Sequence, residues 1–163
     1  MLQLIAERLL GWLPAPLHRR MLRLAHQARL AWWGWRRPLV LGCRMLATNA
    51  AGQVLLVRHA YGSGKWMLPG GGIKPAEDPV LAARREFLEE ISCLLLDARL
   101  ITVIEEPLGG ATNRVHVVRG HCEGEPRPDG REIVELGFFA PAALPLPLAR
   151  GLEDLIPAWL ALE

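Results

Sequence analysis

Cysteine is scarce in this chain: Cys43, Cys93 and Cys122 are the three present among 163 residues. An odd number, spaced neither as CxxC nor as a zinc set, excludes a disulfide-stapled secreted scaffold and favours a reduced, cytoplasmic setting. Cys43 and Cys93 lie in apolar stretches and read as packing residues, not nucleophiles. No apolar run reaches the roughly 20 residues of a transmembrane helix. The first apolar stretch carries Glu7 and Arg8 and lacks a small-residue cleavage site, which argues against a signal peptide. Serine and threonine are absent from residues 1–40, which argues against an organellar presequence. Five histidines are scattered without metal-ligand spacing, and of these His59 and His116 are placed where they could line a pocket. Internal repeats, low-complexity linkers and recognised nucleic-acid modules are also missing.

Arginine and leucine dominate the start of the chain. Residues 1–40 hold seven arginines against one acidic residue, a balance of +6, and the remainder carries −4. Residues 2–13 and 17–35 both place leucine at helical spacing, interrupted by Pro14 and Pro16. The second stretch adds Arg19, Arg20, Arg23 and Arg29 with Trp32, Trp33 and Trp35. The spacing predicts a basic amphipathic helical extension over residues 1–37, followed by the main domain over 38–163. An apolar helix face of this kind must be buried on the domain, on a second copy in a homodimer, or on an anionic membrane surface. Packing on protein is the expectation, and peripheral membrane contact is the alternative. Nucleic acid is not the expected partner, because the basic residues are confined to the arm and the body is acidic.

Beyond Pro38 the pattern becomes that of strands. Segments 39–47, 53–60, 94–105, 114–122 and 133–139 are rich in Val, Leu and Ile, with turn signals at Asn49-Ala50-Ala51-Gly52, Gly109-Gly110 and Pro128-Asp129-Gly130. A helix over 79–91 interrupts them, and a closing helix over 148–162 contains Pro157 as a kink or early break. The expected architecture is α/β, a layered α-β-α domain with a mixed sheet between helices.

The helix over 79–91 carries the chemistry. Asp78 reads as its N-cap and Pro79 as its first residue, and Val80, Leu81, Ala83, Phe87, Leu88 and Ile91 form an apolar stripe near helical period. Glu86, Glu89 and Glu90 fall at i, i+3 and i+4, so three carboxylates share one face and repel one another. A hard divalent cation removes that penalty; Mg²⁺ or Mn²⁺ takes carboxylate oxygen and is completed by water and substrate phosphate. Leu68-Pro69-Gly70-Gly71-Gly72 precedes the helix, a glycine run through which backbone N–H groups approach a phosphate. Gly70, Gly71 and Gly72 are the candidate substrate-binding residues.

Residues 71–93, GGIKPAEDPVLAARREFLEEISC, resemble the Nudix box, G-x5-E-x7-R-E-U-x-E-E-x-G-U with U a bulky apolar residue. Gly71, Glu77, Arg85, Glu86, Phe87, Glu89 and Glu90 match it position by position. Ser92 stands where the family has its second glycine, at a cost on the order of 1 kcal/mol if the helix ends left-handed, and no ligand is lost. The resemblance implies the Nudix fold over residues 38–163 and Mg²⁺-dependent hydrolysis of a nucleoside diphosphate linked to another moiety. It implies Glu86, Glu89 and Glu90 as metal ligands, with Arg85 holding Glu77 or Glu89 in orientation. The base that activates water is Glu89 or Glu90, or a glutamate from a later loop, for which Glu132 is the candidate and Glu135 points to the opposite strand face. No array typical of NADH-cleaving or coenzyme A-cleaving relatives is present, and Pro107 falls about where ADP-ribose-cleaving relatives carry a proline. Tyr61, Trp66, Phe138 and Phe139 are the aromatics that could stack on a base, with Trp66 expected beneath the glycine run. The rival reading is a non-catalytic Nudix-fold protein that binds a nucleotide or rests on a membrane.

Overall fold

The computed structural model describes Trp32 and residues 35–60, 62–130 and 132–162. The extension assigned to residues 1–37 therefore lies almost wholly outside the described residues, as does Tyr61. Trp32 and Trp35 are exposed, and the Arg36 guanidinium carbon lies 5.1 Å from the Trp35 ring centre.

The domain begins with β1 (Leu39–Thr48), which turns at Asn49 into β2 (Val54–His59). Asn49 makes this turn locally: its Oδ1 accepts from the amides of Ala51 and Gln53, both at 3.0 Å. A short strand β3 (Gly70–Gly72) leads to helix α1 (Pro79–Ile91). The long strands β4 (Leu94–Leu108) and β5 (Ala111–Glu123) follow, joined by Gly109 and Gly110, both at positive φ as a two-residue hairpin demands. β6 (Ile133–Phe139) and helix α2 (Leu152–Leu160) complete the chain.

The strands form one sheet in the order β4-β5-β1-β2-β6, with β3 paired to β1. It is mixed, because β1 runs parallel to β5 while the other pairings are antiparallel. Alternation along β1 divides the core. Cys43, Met45 and Ala47 meet Ala82, Ala83, Phe87 and Ile91 of α1 on one face. Leu46, with Val54, Leu56 and Val115, meets Leu152, Ile156 and Trp159 of α2 on the other. The result is the expected α-β-α sandwich.

Three details differ from the sequence reading. The glycine run is itself a strand, because its backbone groups find partners on β1 at Gly42, Cys43 and Arg44. The closing helix starts at Leu152, after Gly151 in the left-handed region, and not at 148. Pro157 lies inside α2 without ending it, since the chain continues helically to Leu160 and the Ala161 amide still donates to the Pro157 carbonyl at 3.2 Å.

Candidate active site

The α1 N-terminus forms as its residues dictate: Asp78 Oδ1 accepts from the amides of Val80 and Leu81 at 2.9 and 3.0 Å, and Pro79 needs no hydrogen-bond acceptor there. Because apolar residues fix one face of the helix on the sheet, the glutamates emerge along its border. Their environments diverge. Glu89 is 60% exposed and Glu86 16%, whereas Glu90 is buried at 8%.

Burial, then the charges of Glu132, Glu86, Asp129 and Glu89, push the Glu90 carboxyl up to about 9. Burial likewise raises Glu86, against the pull of Arg85 and with Glu89 and Glu132 adding to the rise. Glu90 Oε2 is buried and has no hydrogen-bond partner. A buried carboxyl oxygen left unpaired is costly, and a divalent cation among these acids would satisfy it. The donor set thus fits the cation that the glutamate spacing implies. Among the described residues no three His, Cys, Asp or Glu side chains are already arranged as a metal cage.

Arg85 organises the carboxylates. Its Nε and Nη2 donate to the two oxygens of Glu77, each at 2.9 Å, and its Nη1 donates to Glu86 at 2.6 Å. Nη1 lies 3.6 Å from Glu89, and Nη2 also donates to the Gly72 carbonyl at 3.1 Å. Of the two carboxylates named from the sequence, Glu77 takes the guanidinium fork and Glu89 stands at ion-pair distance. That partnership holds Glu77 well below the usual carboxylate range, at about 2.

The glycines serve close approach. None of Gly70, Gly71 and Gly72 has positive φ. A Cβ on Gly71 would collide with the Glu86 carboxyl group, and one on Gly70 would lie 2.5 Å from the Cys43 carbonyl oxygen. Cys43 is buried below, its thiol 3.6 Å from the Gly71 carbonyl, and burial raises that thiol to about 11, consistent with a packing role.

Glu132 enters from the chain between β5 and β6, and its charge acts on both Glu90 and Glu86. Glu135 is engaged elsewhere, by Arg58 at 2.8 Å. His59, at the end of β2, is lowered by burial against the opposing charge of Asp129, which places it beside this loop. His116 sits instead on β5 with Nδ1 3.3 Å from the Gly42 carbonyl oxygen. Trp66 is core, 5.0 Å from Phe139 in an edge arrangement. Phe138 packs at the edge of the core under α1.

Two groups are not legible in the sequence. Asp129 reads as an ordinary turn residue within Pro128-Asp129-Gly130, yet its charge reaches Glu90. Arg44 pairs with Glu106 at 2.7 Å, and Asn113 donates to the same carboxylate at 3.3 Å. Arg44 lies 62 positions before Glu106 and meets the β4–β5 hairpin only through sheet pairing, at an open groove of about 560 Å³ that Glu106 and Pro107 help to line.

A mixed sheet between two helices, with a glycine strand delivering the chain to a helix whose carboxylates gather at one border, defines a class of α/β domain built around an acidic cluster. The chain belongs to the Nudix family, whose NUDIX domain model matches residues 38–159. Among curated proteins it is similar to the RNA pyrophosphohydrolase of Rhodospirillum rubrum, 43% identical over 54 residues, which are 33% of this chain and 33% of that protein. The chain thus spans about a third of the length of the curated relatives it matches. A MutT NUDIX hydrolase from Burkholderia pseudomallei has a similar structure, with TM-score 0.66 and 29% identity over 73% of this chain and 96% of that one. The MutT protein of Methanosarcina mazei Go1 shares the fold, with TM-score 0.66 and 21% identity over 76% of this chain and 94% of that one.

Proposed function

We propose that the chain is a divalent-cation-dependent Nudix pyrophosphohydrolase that cleaves the pyrophosphate linkage of a nucleoside diphosphate joined to another moiety. The observation that carries this reading is Glu90, a buried carboxyl with an unpaired oxygen at the centre of the acids Glu86, Glu89 and Glu132. Glu86, Glu89 and Glu90 would hold Mg²⁺ or Mn²⁺, which when bound offsets charge on the pyrophosphate oxygens.

The remaining work falls to the chain itself. Arg85 keeps Glu77 and Glu86 oriented, and the bare Gly71 lets Glu86 lie against β3. Gly70, Gly71 and Gly72 offer the extended edge on which the phosphates rest. Glu132 takes the proton of the attacking water as its oxygen bonds to phosphorus and the anhydride P–O bond breaks; Glu89 and Glu90 are the alternative bases. The Arg44, Glu106 and Asn113 cluster is offered to the part of the substrate beyond the phosphates, since Arg44 pairs with Gly70 across the sheet.

A screen with Mg²⁺ of nucleoside triphosphates, ADP-ribose, NADH, dinucleoside polyphosphates and nucleotide sugars tests the reading, with phosphate read after added phosphatase. The name of the Rhodospirillum relative, an RNA pyrophosphohydrolase, adds RNA to that panel. Turnover of at least one compound is expected, abolished by chelation and restored by Mg²⁺. Nucleotide binding without turnover of any of them would replace the hydrolase with a nucleotide-binding protein.

A further inference from the structure

Four contacts among the described residues pin the loop that delivers Glu132. The Arg127 amide donates to the Ile91 carbonyl at 2.9 Å, tying the loop to the end of α1 one residue beyond Glu90. The Ala60 amide donates to the Glu132 carbonyl at 2.8 Å, and the Gly130 amide to the Ile133 carbonyl at 3.1 Å. The fourth is a side chain. The Asp129 carboxylate accepts from the Glu132 amide at 3.0 and 3.1 Å through its two oxygens, and from the Ile133 amide at 2.8 Å.

We infer that Asp129 is a positioning residue, whose carboxylate clamps the backbone of Glu132 and so holds that glutamate toward Glu90 and Glu86. The inference rests on the assignment of Glu132 as the base. A misplacement of about 1 Å in a reacting group costs about a hundredfold in rate, so the clamp acts on turnover far more than on substrate affinity. The carboxylate also sits where its charge raises Glu90. Its place there is accounted for by the two amides it satisfies at the entrance to β6.

The test is a double-mutant cycle in the full chain, using the phosphate-release assay with Mg²⁺, together with amide hydrogen exchange on the metal-free protein. Asp129→Ala should lower kcat about a hundredfold with KM within about threefold, and speed exchange at the Glu132 and Ile133 amides. In the Glu132→Gln background the same change should cost less than about threefold further, because the group it positions is already gone. Asp129→Asn keeps Oδ1 as an acceptor and should recover most of the lost kcat. If alanine prevents folding, Asp129→Ser, with an acceptor too short to span both amides, takes its place. Undiminished kcat in Asp129→Ala, or a loss that repeats in full in the Glu132→Gln background, would overturn the inference. Full activity in Glu132→Gln would overturn the base assignment instead, and amide exchange would then decide alone whether Asp129 clamps the loop.

Discussion

At the scale of single residues, the three box glutamates are chemically unequal, and their differences give measurable expectations. Glu89 is exposed, so Glu89→Gln should lower kcat by about a hundredfold or more with little change in melting temperature. Glu90→Gln should be as inactive yet, without metal, more stable near neutral pH, since a neutral amide spares the proton uptake that burial among acids forces on the carboxyl. Full activity in both variants would end the metal assignment. The pH dependence has a definite sign. Glu90 is raised from 4.5 to about 9, so between those values the folded metal-free protein keeps a proton that the unfolded chain has released. Its stability must therefore fall as pH rises through that window. Melting curves of chelated protein from pH 6 to 8.5 should show the decline, and both Glu90→Gln and added Mg²⁺ should flatten it. Glu77 behaves oppositely: its folded-state value of about 2 lies below 4.5, so its bond to Arg85 stabilises above 4.5 and is lost as pH falls toward 2. Acid unfolding of Glu77→Gln should lack that part of the slope.

At the scale of elements, α1 was readable because its information is local. The cap, the proline and the apolar stripe all act within one or two turns, and they place the helix at Pro79–Ile91 as expected. Its end shows how a departure from the family pattern is tolerated. Ser92 adopts φ 61° and ψ 28°, the left-handed cap a glycine would take, and its amide still donates to Leu88 at 3.1 Å. Ser92→Gly should raise stability by up to about 1 kcal/mol, a few degrees of melting temperature, and leave kcat unchanged. A large gain in kcat would mean that serine impairs the site. β3 was not readable, because three glycines have no side-chain pattern and become a strand only when β1 supplies their partners. Of the kink or early break expected at Pro157, the break does not occur: the helix continues to Leu160, with Leu152, Ile156 and Trp159 anchoring it in the core.

At the scale of the whole molecule, the extension stands apart from the domain in charge and composition. Where it joins, Leu39 and Leu41 of β1 are exposed at 52% and 39%, Val103 of β4 at 44% and Trp35 at 77%. Deleting residues 1–36 should lower the melting temperature or the solubility, as expected if the Leu-rich face packs on protein and uncovers roughly 25 cal/mol per Å² of apolar area when removed. A truncation that melts unchanged, stays monomeric and loses only salt-sensitive binding to anionic liposomes would assign the extension to membranes instead. Among the described residues no helix is long and apolar enough to cross a membrane.

The sequence alone determined whatever depends on short-range periodicity: the order of the strands and helices other than β3, the carboxylate face of α1, the Asp78 cap and the family. Spacing of three and four residues on a helix has a single geometric outcome, so Glu86, Glu89 and Glu90 could be placed on one face before any fold was known. The tertiary structure decided which of them is buried, because exposure depends on what other segments bring. Glu90 lies under the charges of Glu132 and Asp129, 42 and 39 positions later in the chain, and those reach it only because the loop ahead of β6 is tied to the end of α1. Asp129 is a turn residue in the sequence and a clamp in the fold for the same reason: its neighbours along the chain are visible in the sequence, while the acids it faces are gathered by the packing of α1 and the sheet.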